Sequence, residues 1–407
     1  MVMNKYICLL AIFLFSFVQK DISMKNVFEF PKPTGSYAVG CKTYHWMDEN
    51  RQERRLSNLD DNRELMVKVW YPAKGFVSAE SPYALDQQTL LADELAGEVE
   101  MATGQKVDCA NELNSIRVYA VDGADCVSGE QFPLVFFSHG SGNSFTDNTV
   151  HCENLASHGY VVVAVNHTYD SRVTVFPDGR KIENKTLDYA NEKARDDEVD
   201  TWVKDIQFVL DQITCEREKS CVLKCVDLNK VGVFGHSLGG AVAIEVSRRD
   251  ARIKVAVGMD AALFNRGATA LFKKPLLLFV GGQSFTEEIP DAVLEEINLT
   301  REEFNWLIDR VVVDNHVLYD NMDADSYKVV LPHAGHTAFN DFAFFKTLPS
   351  IEKTGAVMRV GSVDSQLAIE IVNAYQVVFF DKYLKAKTSP LLDGEHSFGS
   401  EVAFEKK

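Results

Sequence analysis

Along most of the chain, short apolar runs alternate with longer stretches in which apolar residues recur every three or four positions. The short runs are MVKVWYP (66–72), FPLVFFSH (132–139), YVVVAVNH (160–167), KVGVFG (230–235), IKVAVGM (253–259), PLLLFVG (275–281) and YKVVLPH (327–333). Most are continuous in Val, Ile, Leu and Phe rather than alternating, which predicts strands covered on both faces, as in a parallel sheet. Between them, ARDDEVDTWVKDIQFVLDQI (194–213) has the apolar spacing Val199, Val203, Ile206, Phe208, Val209, Leu210 and Ile213 that suits a helix packed on a sheet. SQLAIEIVNAYQVVFFDKYL (365–384) does the same near the C-terminus. The pattern predicts an α/β architecture, a mostly parallel central sheet flanked by helices in one domain over 26–390, with a tail over 391–407.

Two stretches interrupt the alternation. Residues 74–125 carry the acidic amphipathic segment LDQQTLLADELAGEVEMA (85–102), and residues 283–325 carry PDAVLEEINLTREEFNWLIDRVV, which reads as helix. Insertions at the C-terminal ends of parallel strands are where lids and binding walls grow, and the second is expected at the mouth of a site. The first fits that place or plain peripheral decoration. The N-terminus differs again: Lys5 precedes an apolar run from Tyr6 to Val18 and then polar QKD. That length suits a secretory signal over 1–20 and falls short of a membrane span, which predicts a secreted or periplasmic protein.

Composition narrows the partners. A content of 46% hydrophobic and 25% charged residues in 407 fits a soluble globular chain. The formal net charge of −17 leaves no excess of Lys and Arg to neutralise phosphates, which excludes nucleic acid. It also opposes long-range attraction to an anionic membrane, leaving a small-molecule substrate and at most transient contact with a lipid surface. Cys109 with Cys126, and a pair within Cys215, Cys221 and Cys225, lie close enough in sequence to bridge local loops. The chain has neither a CxxC pair nor an EF-hand loop, so no metal site is expected.

The chemistry centres on KVGVFGHSLGGA (230–241). Ser237 follows a buried run and precedes a helical one, the strand–turn–helix setting in which a GxSxG serine becomes a nucleophile. Gly235 and Gly239 lack a Cβ that would clash with the strained serine backbone. Such a serine needs a base held by an acid, in the chain order Ser, acid, His. His336, after the last strand, is the expected base; His333 sits closer to the strand end and suits a supporting role. For the acid, Asp260 closes the run IKVAVGMD at a strand C-terminus and is favoured. One strand later the loop GGQSFTEE offers Gln283 in the corresponding place and Glu287 farther on. The oxyanion needs two backbone donors, expected from Leu238 N–H and from Ser141 N–H in SHGSGN, with His139, Gly140 and Gly142 shaping the turn. This set needs no metal and no organic cofactor.

Taken together, PLVFFSHGSG, LASHGYVVVAVNH, GHSLGGA, MDA and GHTAFNDFAFF resemble the platelet-activating-factor acetylhydrolase family, and the likeness runs from about residue 30 through FFDKYL. The resemblance implies an α/β-hydrolase fold and calcium-independent removal of short or oxidised acyl chains from phospholipids. It maps the acid onto Asp260, the base onto His336 and the oxyanion donors onto Ser141 and Leu238. It also shades into dienelactone-hydrolase-like and polyester-degrading esterases, which implies soluble esters as the alternative substrates. A non-catalytic binding protein on the same fold is disfavoured, because such proteins usually lose a triad member or an elbow glycine.

Overall fold

The computed structural model describes residues 28–55, 61–75, 78–83, 87–185, 187–264, 267–284, 291–296, 299–395 and 398–407. The predicted leader and Glu287 lie outside them. The main sheet has ten strands: β1 Ala38–Gln52, β2 Asn62–Ala73, β3 Val121–Asp122, β4 Phe132–Ser138, β5 Val161–Asn166, β6 Val226–His236, β7 Ile253–Met259, β8 Leu276–Gly281, β9 Ser326–Leu331 and β10 Ala403–Lys406. Their spatial order is β10-β9-β8-β7-β6-β4-β5-β2-β1-β3. Strands β5, β4, β6, β7, β8 and β9 run parallel to their neighbours in that order. The β1–β2, β2–β5 and β9–β10 pairs are antiparallel. This is the mostly parallel α/β sheet that the alternation predicts, in the α/β-hydrolase arrangement that the resemblance implies.

Every residue of β4 and β5 is buried, which is why their sequences are continuous rather than alternating. Helices cover both faces. The longer ones are α1 Gln88–Thr103, α2 Thr149–Ser157, α3 Glu192–Glu216, α4 Leu238–Arg249, α5 Arg301–Asp320 and α6 Ser365–Lys385. Val203, Ile206 and Val209 of α3 and Val242 and Val246 of α4 pack with Val163 and Val233 on one face. On the other, Leu155 of α2 and Ile371, Tyr375 and Phe379 of α6 meet Val162, Phe234 and Val257.

Three expectations need correction. The segment beyond residue 390 does not hang as a tail: it ends in β10, which pairs with β9 over Tyr327–Val330. The helical reading of the second insertion holds but needs a break, giving two helices, Asp291–Glu296 and α5. Thr300 divides them by starting α5 with a reciprocal capping box: its Oγ accepts from Glu303 N (3.2 Å), and its own N donates to Glu303 Oε2 (2.8 Å). Cys109 and Cys126 belong to cores on opposite faces of the sheet, so sequence proximity does not make them a pair. Among the described residues no helix is long and apolar enough to cross a membrane.

Candidate active site

Strand β6 ends at His236 and α4 begins at Leu238, leaving Ser237 to make the whole turn with φ 55° and ψ −124°. A non-glycine residue there is strained by about 1–3 kcal/mol, and the surroundings must hold it. Ser237 N donates to Met259 O (3.0 Å), and Ser237 O accepts from Gly240 N (2.9 Å) and Ala262 N (3.0 Å). The turn closes only without side chains at its flanks. A Cβ on Gly235 would lie 2.0 Å from Gly239 O, and one on Gly239 would lie 2.1 Å from Ser138 O.

Asp260 is the residue after β7, also in the left-handed region at φ 47°. One carboxylate oxygen, Oδ1, accepts from Gly281 N (3.1 Å), and the other, Oδ2, lies 2.5 Å from His336 Nδ1. Both side chains are buried, at 3% and 6% exposure, so this charge-assisted bond is shielded from water. With Nδ1–H given to Asp260, Nε2 is the nitrogen left for chemistry. Ser237 and His336 line the same cavity, about 320 Å³ in volume. His236, the residue beside the nucleophile, bonds His336 O through Nε2 (2.8 Å) with the two rings 4.7 Å apart. Burial, reinforced by His336, holds His236 well below the usual histidine range, so it stays a neutral donor that fixes the backbone of His336. Sequence order rules His236 out as a base but gives no hint of this role.

The loop after β4 lies against the nucleophile: a Cβ on Gly140 would sit 3.3 Å from Ser237 Cβ. Gly140 O accepts from His139 Nδ1–H (2.7 Å) and Asn143 N (3.1 Å). His139 Nε2 accepts from His167 N (3.1 Å) and Ser171 Oγ (2.8 Å), which assigns the ring proton to Nδ1. Burial and the neighbouring His167 keep the ring neutral. Gly142 reverses the chain at φ 74°, and Tyr189 hydrogen-bonds the Ser141 side chain. Leu238, the first residue of α4, has no carbonyl one turn earlier for its N–H.

Behind this loop lies a second Ser–His–Asp series. His167 Nδ1 bonds Asp205 Oδ2 (2.9 Å) and its Nε2 bonds Ser138 Oγ (3.1 Å), with the ring stacked 4.1 Å from Trp202. Arg63 grips Asp205 through Nη2 (2.7 Å) and Nε (3.2 Å) and, after burial, is the main influence on Asp205, holding its carboxyl below the usual range. All three members are fully buried, so the series frames the loop after β4 and is closed to solvent.

The remaining candidates fall outside the arrangement. His333 is exposed, and its carbonyl accepts from Val363 N (2.8 Å). Gln283 Oε1 accepts from Ser362 N (2.9 Å) and Oγ (3.1 Å), tying down a loop. The cavity's apolar wall is Phe304, Leu307, Ile308 and Val311 of α5 with Phe264 and Leu299, which puts the second insertion at the mouth as expected. The first insertion reaches it too. Glu94 of α1 lines the cavity and is bound by Arg172 (2.6 Å), while Glu98 holds the lining residue Arg359 (3.0 Å). Glu94 therefore faces the site, and Glu98 is paired with a residue that does. Among the described residues no group of three or more His, Cys, Asp or Glu is placed to hold a metal ion.

Comparison with known proteins adds a family. The model of "Platelet-activating factor acetylhydrolase, isoform II" matches residues 22–225 and 220–393. Platelet-activating factor acetylhydrolase of Gallus gallus is 24% identical over 396 residues, covering 88% of this chain and 85% of the relative. A probable 1-alkyl-2-acetylglycerophosphocholine esterase of Arthroderma benhamiae is 24% identical over 408 residues, covering 94% and 95%. The solved structure of a ferulic acid esterase from Streptomyces cinnamoneus superposes with a TM-score of 0.70 at 29% identity, covering 93% of this chain and 99% of that one.

Proposed function

Because the chain belongs to the platelet-activating factor acetylhydrolase isoform II family and is a carboxylic ester hydrolase, we propose that it removes short or oxidised acyl groups, of the phospholipid sn-2 acetyl type, through an acyl-enzyme on Ser237. The observation that carries the reading is the 2.5 Å Asp260–His336 bond beside a cavity that also holds the strained Ser237. His336 Nε2 takes the serine proton as Oγ attacks the ester carbonyl. Asp260 orients the ring and stabilises the imidazolium that forms. The Ser141 and Leu238 amides receive the oxyanion, each donor being worth roughly 10²–10³ in rate. His336 then returns the proton to the leaving alcohol, and water releases the acyl group by the reverse path.

The predicted leader supports an exported enzyme, and the exposed acids Asp93 and Glu100 of α1 support only brief contact with an anionic lipid surface. A second reading, a carboxylesterase acting on soluble esters, draws on the wall formed by Phe264, Phe304 and Leu307, which offers more apolar surface than an acetyl group covers. A solved structure similar to this chain is a ferulic acid esterase, which keeps aromatic acyl groups in the comparison. The test is Ser237→Ala, expected to lower hydrolysis of p-nitrophenyl acetate by on the order of 10⁶ while the thermal unfolding midpoint is kept. Full activity in that variant would sink the mechanism. Relative kcat/KM on acetylated phospholipid, long-chain phospholipid and feruloyl esters then separates the two readings.

A further inference from the structure

Three cysteines converge at the end of the sheet opposite Ser237, where β4 and β6 begin. Cys126 stands shortly before β4 and forms an isolated bridge with Ala73, while the neighbouring Val127 N donates to Pro72 O (3.0 Å). Cys221 opens the one-turn helix Cys221–Lys224, and Cys225 closes it just before β6. The Cys126 thiol is in hydrogen-bond contact with the thiols of both Cys221 and Cys225. Cys225 Sγ also reaches Cys221 O (3.0 Å) and Val127 O (3.6 Å), and Cys225 O accepts from Phe132 N (2.7 Å). The two chain segments are therefore fixed against each other by backbone as well as by sulfur. Cys221 is exposed, whereas Cys126 and Cys225 are 8% and 6% exposed.

We propose that this cluster is a disulfide-forming site, in which Cys126 bonds Cys221 and Cys225 serves as the exchanging thiol. A disulfide needs side chains already in contact, and these are the thiols that meet that condition for Cys126. Cys221 is the sulfur that a small disulfide oxidant of the glutathione type can reach. Its thiolate attacks the oxidant's disulfide, forming a mixed disulfide and releasing one oxidant thiol. Cys126 then gives up its proton and attacks Cys221 Sγ, and the second oxidant thiol departs with that proton. Two protein thiols lose two electrons and two protons, and one oxidant disulfide becomes two thiols. Attack of Cys225 on Cys126 Sγ moves the bond to Cys126–Cys225 and returns the Cys221 thiol to the surface, with no net redox change. Either bond ties the end of the first insertion to the segment that feeds the nucleophile's strand, and neither touches Ser237.

The test is peptide mapping of the full-length protein after equilibration with oxidised glutathione and alkylation without reduction. The expected product is a Cys126–Cys221 cross-linked peptide with a smaller amount of Cys126–Cys225. The unfolding midpoint should rise by roughly 5 °C, since the bond closes a long loop. Hydrolysis of p-nitrophenyl acetate should stay within about twofold of the reduced protein, so this result is independent of the esterase mechanism. Cys221→Ser should form Cys126–Cys225, more slowly, and Cys126→Ala should lose both cross-links and the shift in midpoint. Recovery of Cys126 as a free alkylated thiol after oxidation, or its capture by Cys109 or Cys215, overturns the proposal.

Discussion

His139 offers a strict test of the oxyanion loop. A peptide bond is planar and trans, so the Gly140 carbonyl and the Ser141 N–H point in opposite directions from one plane. Holding the carbonyl on His139 Nδ1–H (2.7 Å) and Asn143 N (3.1 Å) therefore turns the Ser141 amide the other way and fixes it there, as its proposed oxyanion role requires. Replacing His139 by Gln places an amide where Nε2 stood and removes the donor to Gly140 O; replacing it by Asn places an NH₂ where Nδ1 stood and keeps the donor. The lost bond alone is worth about 1 kcal/mol, roughly a fivefold shift in the loop's orientation. Full loss of the Ser141 donor would cost roughly 10²–10³ in kcat. His139→Gln should thus fall about 5- to 10³-fold in kcat with KM within about twofold, and His139→Asn should lose less than about fivefold relative to the parent. Steady-state hydrolysis of p-nitrophenyl acetate gives the split, and the affinity of an alkyl boronic acid, which mimics the tetrahedral intermediate, should fall in step with kcat/KM. Equal loss in the Gln and Asn variants, or a change in KM alone, would refute the reasoning.

Gly239→Ala must push a methyl against Ser138 O at 2.1 Å, so it should abolish ester hydrolysis and lower the unfolding midpoint, read by an esterase assay and a thermal scan. Leu307→Trp narrows the apolar wall and should depress hydrolysis of p-nitrophenyl octanoate at least tenfold more than that of the acetate. Burial lowers the pKa of His151 from 6.5 to about 4, so its contribution to stability is complete above pH 6.5 and is lost as pH falls toward 4. That gap corresponds to about 3 kcal/mol; urea unfolding at pH 7 and pH 4.5 should show His151→Gln losing much less stability on acidification than the parent, and parallel losses would count against it.

What could be read in the sequence follows burial. Strands β4 and β5, covered on both faces, announce themselves as unbroken apolar runs, whereas β1 does not. Its stretch after Cys41, KTYHWMDENRQ, is mostly exposed and ends in a register shift between Asp48 and Gln52, so its composition resembles a loop. Strand β10 is short and mostly exposed and carries no signal of its own. Chain order was enough to pick Ser237, Asp260 and His336 as candidates, because a strand end followed by a turn is a local pattern. The roles of His139 and His236 depend on which carbonyl each ring meets, and the inward turn of Glu94 and Glu98 depends on Arg172 and Arg359, which are remote in sequence. Cysteine pairing was misleading for the same reason: distance along the chain says nothing about the side of the sheet.

The buried series of Ser138, His167 and Asp205 carries a lesson for reagents that seek out activated serines. It has the bonding order usually taken as the mark of a hydrolase, with distances of 3.1 and 2.9 Å, yet it is sealed behind the loop it supports. Ser138 lies within the regular pleat of β4, hemmed by Gly239, and no attacking trajectory opens onto it. A fluorophosphonate should consequently modify one equivalent of serine in a chain that contains two such sets. On the proposed mechanism, reactivity in this molecule is decided by the sharp bend at Ser237 and the opening above it, and far less by the three residue types themselves.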